Sequence, residues 1–268
     1  MTKAIEKALF ISSPSQLGLF RDSFQRIYFG QEFCERLLPS KKDLLKVKSF
    51  CSKKGISLSL VTPILTDAGL ENALALSRLL LPEDEIIVND YGLLHALQNP
   101  RPVLVAGRLL NRQFRDPRIA SFRGKVSDSF FMHLQQSHAA SPEFQSFLLE
   151  NSFARAELDN LLQGIGTDLS KSQLHASLYF PFVFVSLTRM CLSANCNSVS
   201  FQGKVGVFPC SRECQSFQFN LKSSFFPNEL LLFGNAVLFK NSALPKEPEL
   251  LSMGIDRLVT NKALQLPG

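Results

Sequence analysis

The sequence predicts an α/β fold of the TIM-barrel-like (β/α)-barrel class, and three observations support this prediction. Short apolar runs alternate with helical patterns through the first half of the chain, as in the βαβ units of a parallel sheet. No GxGxxG or Walker-type glycine loop follows these runs, so nucleotide-binding α/β folds lose their usual support. The length of 268 residues suits one barrel domain over residues 1–268.

The first half contains five candidate strands, at residues 8–12, 26–30, 56–61, 85–89 and 102–106. Between them, Lys41–Lys54 places apolar residues at helical spacing. A clear helical pattern covers residues 67–81, with Asp67 as its expected N-cap. We expect the five strands to lie parallel in one curved sheet with the helices outside it.

The second half has a less regular pattern. Residues 157–162 (ELDNLL) suit a helix, and the apolar run 174–187 suits a buried barrel strand followed by a loop. Short apolar runs recur at 230–233, 236–239 and 255–259. Because the chain stops soon after the last run without a closing helix, a barrel that is open or incomplete at its C-terminus is an alternative to a closed one.

Composition sets limits on the class of protein. Lys and Arg number 29 against 23 Asp and Glu, a net charge of +6 that permits an anionic partner such as nucleic acid. The basic residues are scattered, however, which is more typical of a solvated surface. No apolar run reaches the roughly 18 residues of a membrane-spanning helix, and the first residues do not resemble a signal peptide. We therefore expect a cytoplasmic protein with no membrane span.

The cysteines are the most informative residues. Four of the six form the pattern Cys191-x4-Cys196-x13-Cys210-x3-Cys214, inside a polar, Cys-rich segment that we assign to residues 188–217. In a reducing compartment such a cluster indicates a metal or redox site, and thiolates suit both zinc and iron–sulfur clusters. Cys34 follows the second predicted strand, at the end where a barrel carries its functional loops. Cys51 lies in a helical pattern and is interpreted as a buried structural thiol.

Other polar residues offer weaker candidates for chemistry. The histidines are dispersed, and the absence of HExxH and GxSxG motifs gives no support to a peptidase. Asp90 and Asn111 follow predicted strands, where barrel active sites gather. Asp90 is equally well explained as a helix cap. The candidates for binding an anion are Arg112, Arg115 and Arg118. For Arg115 and Arg118 we favour the alternative that they cover the barrel surface.

Several short stretches resemble one family. RIYFGQEFCERL at 26–37, LSLVTPIL, VNDYGLLHAL, PVLVAGRLLN, LTRMCLSANC, FPCSRECQ and the final GIDRLV together cover most of the chain. They are similar to the UbiV-like smaller proteins of anaerobic, oxygen-independent ubiquinone hydroxylation, a branch of the collagenase-like peptidase superfamily.

The resemblance implies a TIM-barrel-like fold and a [4Fe–4S] cluster bound by Cys34, Cys191, Cys210 and Cys214. It also implies that the protein assists oxygen-independent hydroxylation of a ubiquinone precursor or another aromatic substrate. The partner would be a larger homologous superfamily member, in a heterodimer. Glu157 is a catalytic candidate because relatives place a similar glutamate there.

Two alternatives stay open at this point. The loop between Cys191 and Cys210 is longer than in close relatives and contains Cys196, which could replace Cys34 as the fourth ligand. The four local cysteines make the simpler site, whereas the resemblance favours Cys34. A structural zinc in a binding or scaffold protein is the alternative to iron, and a peptidase or RNA-modifying enzyme of the same superfamily is a further one.

Overall fold

An eight-stranded parallel barrel forms the centre of the computed structural model, which describes residues 4–188, 190–194, 196–197, 210–226, 229–262 and 264. The barrel strands are β1 (Glu6–Ile11), β2 (Arg26–Gly30), β3 (Ser57–Val61), β4 (Glu85–Val88), β5 (Val103–Ala106), β6 (Phe153–Asp159), β7 (His175–Phe180) and β12 (Ile255–Asn261). Their order around the barrel is β1-β12-β7-β6-β5-β4-β3-β2. The predicted TIM-barrel-like α/β class and the parallel arrangement of its first five strands are confirmed.

The last strand closes the barrel. On one side of β12, Arg257 lies opposite Glu6 of β1, and on the other side Leu258 lies opposite Leu178 of β7. The alternative of an open or incomplete barrel is therefore wrong for the described chain. Closure needs an eighth strand rather than a closing helix, and residues 255–261 supply that strand.

Helices cover the outside of the barrel. They are α1 (Lys41–Lys54), α2 (Asp67–Ser77), α3 (Tyr91–Ala96), α4 (Asp128–Leu134), α5 (Pro142–Glu150) and α6 (Glu247–Ser252). The N-cap of α2 is Thr66 instead of Asp67, and this helix ends at Ser77 instead of residue 81. After Ser77 the backbone tightens into i→i−3 hydrogen bonds, with Leu79 N–H donating to the carbonyl oxygen of Leu76 at 3.0 Å and Leu80 N–H to that of Ser77 at 3.1 Å. No helix within the described ranges is long and apolar enough to cross a membrane.

Residues 157–162, expected as a helix, instead begin within strand β6. On this strand Ala156 and Leu158 belong to the apolar layer under the helices, whereas Glu157 bonds to Tyr28 inside the barrel. The polar residues of ARAELD thus point inward. The leucines of ELDNLL at 158, 161 and 162 have the i, i+3, i+4 spacing of a helix, which accounts for the wrong prediction.

Among the described residues, four antiparallel strands form a second sheet in the order β8-β11-β10-β9. They are β8 (Phe182–Leu187), β9 (Phe219–Leu221), β10 (Leu230–Phe233) and β11 (Ala236–Lys240). The run 174–187, expected to be a barrel strand and a loop, is therefore two strands, of which only β7 belongs to the barrel. The chain leaves the barrel after β7, builds this small sheet, and returns as β12.

The barrel interior combines aromatic packing with ion pairs. Phe10, Tyr28 and Tyr179 pack together near its middle, with ring centroids 6.0–6.4 Å apart. Below them, at the N-terminal ends of the strands, Arg257 donates to both carboxylate oxygens of Glu85 at 2.8 and 2.9 Å. Burial alone would raise the pKa of Glu85, but Arg257 and other cations hold it at about 2. This end of the barrel is a satisfied structural network.

Candidate functional site

The C-terminal mouth of the barrel is closed by a buried ionic cluster. Arg108 is fully buried, and its guanidinium donates to both carboxylate oxygens of Glu32 and, at 2.6 Å, to Asp159 Oδ1. Arg115 Nε donates to Asp159 Oδ2, also at 2.6 Å. Burial alone would raise the pKa of Asp159, but Arg108 and Arg115 hold it below its usual range. The mouth, where barrel enzymes usually bind substrate, is therefore filled.

Strand β8 of the small sheet covers this cluster. The backbone N–H of Phe184 donates to Asp159 Oδ1 at 3.1 Å, and the carbonyl oxygen of Phe182 accepts from Arg108 at 3.2 Å. The ring of Phe184 stacks on Phe33, which follows β2, with centroids 5.3 Å apart. Since the small sheet seals the mouth, the accessible cavities lie beside it.

One such cavity, of about 490 Å³, lies between the loops after β2 and β3 and the β10–β11 turn, and we call it the thiol pocket. Its lining includes Cys34, Cys191, Cys210 and Cys214. Cys196 does not line it, although it lies within electrostatic reach of Cys191. The structure thus brings together the four cysteines that the family resemblance selects. Of the Cys-rich segment 188–217, residues 189, 195 and 198–209 lie outside the described part of the chain.

The loop that carries Cys34 is fixed from several sides. It begins after Gly30, which has φ +139° and lies so close to β3 that a Cβ atom would be 2.2 Å from the carbonyl oxygen of Val61. The side chain of Asn235, in the β10–β11 turn, donates to the carbonyl oxygen of Phe33 at 2.8 Å. These contacts place Cys34 between the barrel and the small sheet.

Glu35 fixes the other side of the same loop. Its carboxylate accepts from the backbone N–H of Thr66 at 2.6 Å and from the Thr66 hydroxyl at 2.9 and 3.0 Å. Thr66 is the N-cap of α2, so this carboxylate satisfies an amide at the helix start that the Thr66 side chain does not cap. Cys34 is thereby linked to α2 through its neighbour.

Two cysteines are held by a tight turn. The backbone N–H of Arg212 donates to the sulfur of Cys210 at 3.4 Å, and a 3₁₀ turn Glu213–Gln215 follows. Cys214, within this turn, packs against Gly234 of the β10–β11 turn, where a Cβ atom would lie 3.5 Å from its sulfur. The three-residue spacing therefore directs both thiols into one cavity, as the sequence pattern suggests.

The ionisation of the thiols reflects their proximity. Burial raises the pKa of Cys34, Cys191 and Cys214, that of Cys214 to about 12. The neighbouring thiols raise the pKa values further, since Cys214 interacts with the other three cysteines of the pocket. Four thiolates in this pocket would repel one another, and a bound cation would remove that repulsion.

All six cysteines are free of disulfide bonds, including Cys51, which is buried in α1. Within the described residues, no group of three or more His, Cys, Asp or Glu side chains forms a set that could hold a metal ion. The four thiols therefore share a cavity without a preformed mononuclear site.

The predicted catalytic residues lie outside the thiol pocket. Asp90 caps α3, its Oδ1 accepting from the backbone N–H of Leu93 at 2.8 Å. Asn111 is buried, donating to the carbonyl oxygen of Glu157 at 2.9 Å and accepting from Ala139 N–H at 3.1 Å. Glu157 is fully buried inside the barrel. All three side chains thus make contacts that hold the fold.

The predicted anion-binding arginines also do not line this pocket. Arg115 joins the buried cluster at the mouth, while Arg118 pairs with Asp116 on the surface. No sequence pattern indicated Glu32 and Asp159, although each lies at or just beyond the end of a barrel strand. The same is true of Arg36 and Arg212, which line the thiol pocket beside its cysteines.

Comparisons with known proteins give little further information. No protein-family model matches the chain, and no curated protein matches it. Among solved structures, it is similar to the U32 peptidase Mk0906, with a TM-score of 0.48 and 10% sequence identity, over 100% of this chain and 96% of that chain. A likeness at this level supports no conclusion about activity.

Proposed function

We propose that this chain is an iron–sulfur protein that holds a [4Fe–4S] cluster on Cys34, Cys191, Cys210 and Cys214. The observation that supports the proposal is that these four thiols, one from the barrel and three from the Cys-rich segment, line a single cavity. Four thiolates are the usual ligand set of such a cluster, with one ligand often distant in sequence.

The charges around the cavity suit this cofactor. A [4Fe–4S] cluster with four thiolate ligands carries a net negative charge, and Arg36 and Arg212 both line the pocket. The loop contacts of Gly30 and Glu35 keep Cys34 in place without a metal. The absence of a preformed mononuclear site does not count against a cluster, because each thiolate binds its own iron.

The activity that we propose rests on the family resemblance. The protein would assist oxygen-independent hydroxylation of a ubiquinone precursor, as half of a heterodimer with a larger homologous superfamily member. A bound cluster supplies electron transfer, which zinc cannot provide. The chain's own contribution is to hold the four thiols and to exclude solvent on the side that the small sheet covers.

The cofactor is tested on anaerobically purified protein by its visible spectrum and its iron and sulfide content. We expect a brown protein with a broad band near 400 nm (an approximate position typical of sulfur-to-iron charge transfer) and about four irons per chain. Cys34→Ala should lose most of the iron, and the matched variant Cys196→Ala should keep it. A colourless, zinc-loaded protein would overturn the proposal, and retention in Cys34→Ala with loss in Cys196→Ala would reverse the ligand assignment.

The activity has a separate test. Cluster-loaded protein is mixed anaerobically with its larger homologue, a phenolic ubiquinone precursor and a small-molecule extract of anaerobically grown cells, which supplies an oxygen-atom donor. The donor is needed because converting C–H to C–OH is a two-electron oxidation, in which the donor transfers its oxygen atom and is itself reduced. The hydroxylated product should be detectable by mass spectrometry. Cys196→Ala should support the reaction and Cys34→Ala should not. If the wild-type mixture gives no product although the cluster is present, the hydroxylation proposal fails while the cofactor assignment stands.

A further inference from the structure

A second cavity adjoins the thiol pocket. It has a volume of about 470 Å³ and lies between the loop after β1, the start of α1 and the 3₁₀ turn after Arg212. We call it the polar cleft. Arg36 and Arg212 line both cavities and therefore stand at the boundary between them. A volume of this size is typical of sites for small metabolites.

The cations of the polar cleft lack partners, whereas its carboxylates have them. For the side chains of Arg36, Arg212 and Lys41, the structure gives no hydrogen bond or ion pair to any described residue. The Glu35 carboxylate is already bound to Thr66. Asp43 accepts from the Ser40 hydroxyl at 2.7 Å. The groups that remain available to a ligand are thus three cations.

The backbone of Arg212 adds an independent observation. Its φ is +65°, in the left-handed region that favours glycine. A non-glycine residue in this conformation costs about 1 kcal/mol or more, and such residues concentrate at functional sites. For the stability of the fold, arginine is therefore less favourable than glycine at this position. The Arg212 side chain borders both cavities.

The start of α1 also contributes to the polar cleft. Ser40 is the N-cap of this 14-residue helix, and Ser40, Lys41 and Asp43 line the cavity. A helix N-terminus carries a partial positive charge and free backbone amides, which favour an anion. The negative charge of Asp43 disfavours an anion, but the hydrogen bond that the Asp43 carboxylate accepts from the Ser40 hydroxyl holds it at the helix cap.

We propose that the polar cleft binds the phosphate group of a small metabolite, with Arg36 and Arg212 as its two guanidinium ligands. Guanidinium groups match phosphate oxygens in paired hydrogen bonds. The remainder of the ligand lies along the polar cleft itself, where Leu37, Leu38 and Leu76 offer apolar contacts. The two proposals share Arg36 and Arg212, but phosphate binding can be tested without a cluster because the ligands of the phosphate are arginines and not thiols.

Isothermal titration calorimetry of the full chain tests this site, with inorganic phosphate as the probe at constant ionic strength. Protein as purified and protein stripped of metal are both measured, so that a failure of the cluster proposal does not affect the result. We expect saturable phosphate binding in both forms and none with acetate. Arg36→Gln and Arg212→Gln should each weaken the affinity by about tenfold or more, the value of one lost charge-assisted hydrogen bond.

Two further variants complete the test. Arg101→Gln removes an exposed arginine that precedes β5 at the opposite end of the barrel. This variant should bind phosphate as the wild type does. Arg212→Gly should lose phosphate binding without a lower melting temperature, because glycine tolerates the positive φ. The proposal is wrong if phosphate does not bind, if acetate binds equally well, or if Arg101→Gln weakens binding as much as Arg36→Gln.

Discussion

The hydroxyl of Tyr28 donates a hydrogen bond to Glu157 Oε1 at 3.0 Å in the centre of the barrel, and Glu157 Oε2 has no hydrogen-bond partner among the described residues. Burial raises the pKa of Glu157 to about 7, from 4.5 for the free side chain. An oxygen atom that is buried and unbonded disfavours the negative charge. Glu157 thus keeps its proton at pH values where an exposed glutamate has lost it.

This shifted pKa predicts how the stability depends on pH. Between pH 4.5 and 7 the folded chain binds the proton more tightly than the unfolded chain does, so this residue makes stability fall as pH rises through that window. Glu157→Gln mimics the protonated form and removes the effect. We expect Glu157→Gln, relative to wild type, to be about 2–3 kcal/mol more stable at pH 8 than at pH 5.

Urea denaturation at both pH values measures this difference. Glu71→Gln, on the exposed side of α2, is the control and should show the same relative stability at pH 5 and pH 8. An equal effect of Glu157→Gln at the two pH values would mean that Glu157 ionises normally inside the barrel.

A second prediction concerns the cluster that closes the mouth. Asp159→Asn keeps the shape of the side chain but leaves Arg108, which is fully buried, with Glu32 as its one carboxylate partner among the described residues. Breaking a buried ion pair by neutralising one partner typically costs about 3–5 kcal/mol. We expect a loss of this size in the free energy of unfolding.

The matched control is Asp116→Asn, which neutralises the partner of the exposed Arg118. Surface pairs contribute little to stability, and asparagine still caps the 3₁₀ turn that Asp116 precedes, so this change should be nearly silent. Chemical denaturation of both variants compares them directly. Similar losses in the two would show that the mouth cluster is not a buried network.

The sequence predicted the first five strands because each is a short apolar run that alternates with a helix. It failed at β6, where Arg155, Glu157 and Asp159 give a charged pattern to a buried strand. It also missed the small sheet, since short antiparallel strands such as β10 and β11 look the same in sequence as barrel strands. The insertion of this sheet before β12 separates the last barrel strand from β7.

The candidate site was predicted in part. Cys34 was expected near the later cysteines because parallel strands deliver their loops to one face, and the structure places it beside them. The ion pair of Arg108 with Glu32 joins residues 76 positions apart, and no local pattern indicates it. The same holds for Arg36 and Arg212, whose shared position between two cavities depends on the fold.

The close approach of β2 and β3 gives a third prediction. Gly30→Ala would place a Cβ atom 2.2 Å from the backbone carbonyl oxygen of Val61, at a φ of +139° that other residues rarely adopt. Because backbone must move to relieve this contact, we expect a loss of about 3 kcal/mol in thermal or urea unfolding. Gly18→Ala, with no atom within 4 Å of the added Cβ, should be close to neutral. A neutral Gly30→Ala would contradict the β2–β3 geometry.

The contact between Glu35 and α2 gives the last prediction. The effect of Gly69→Ala on the free energy of unfolding should change sign when the Glu35 carboxylate is removed. A Cβ atom on Gly69 would lie 2.2 Å from Glu35 Oε2, so Gly69→Ala displaces the carboxylate that bonds to Thr66. We expect a loss of about 1 kcal/mol, since the lost charge-assisted bonds outweigh the better helix propensity of alanine. In a Glu35→Ala background no carboxylate is in the way, and Gly69→Ala should instead stabilise by up to about 1 kcal/mol. A double-mutant cycle of urea unfolding measures this coupling, and additive effects would show that Glu35 does not hold the Cys34 loop against α2.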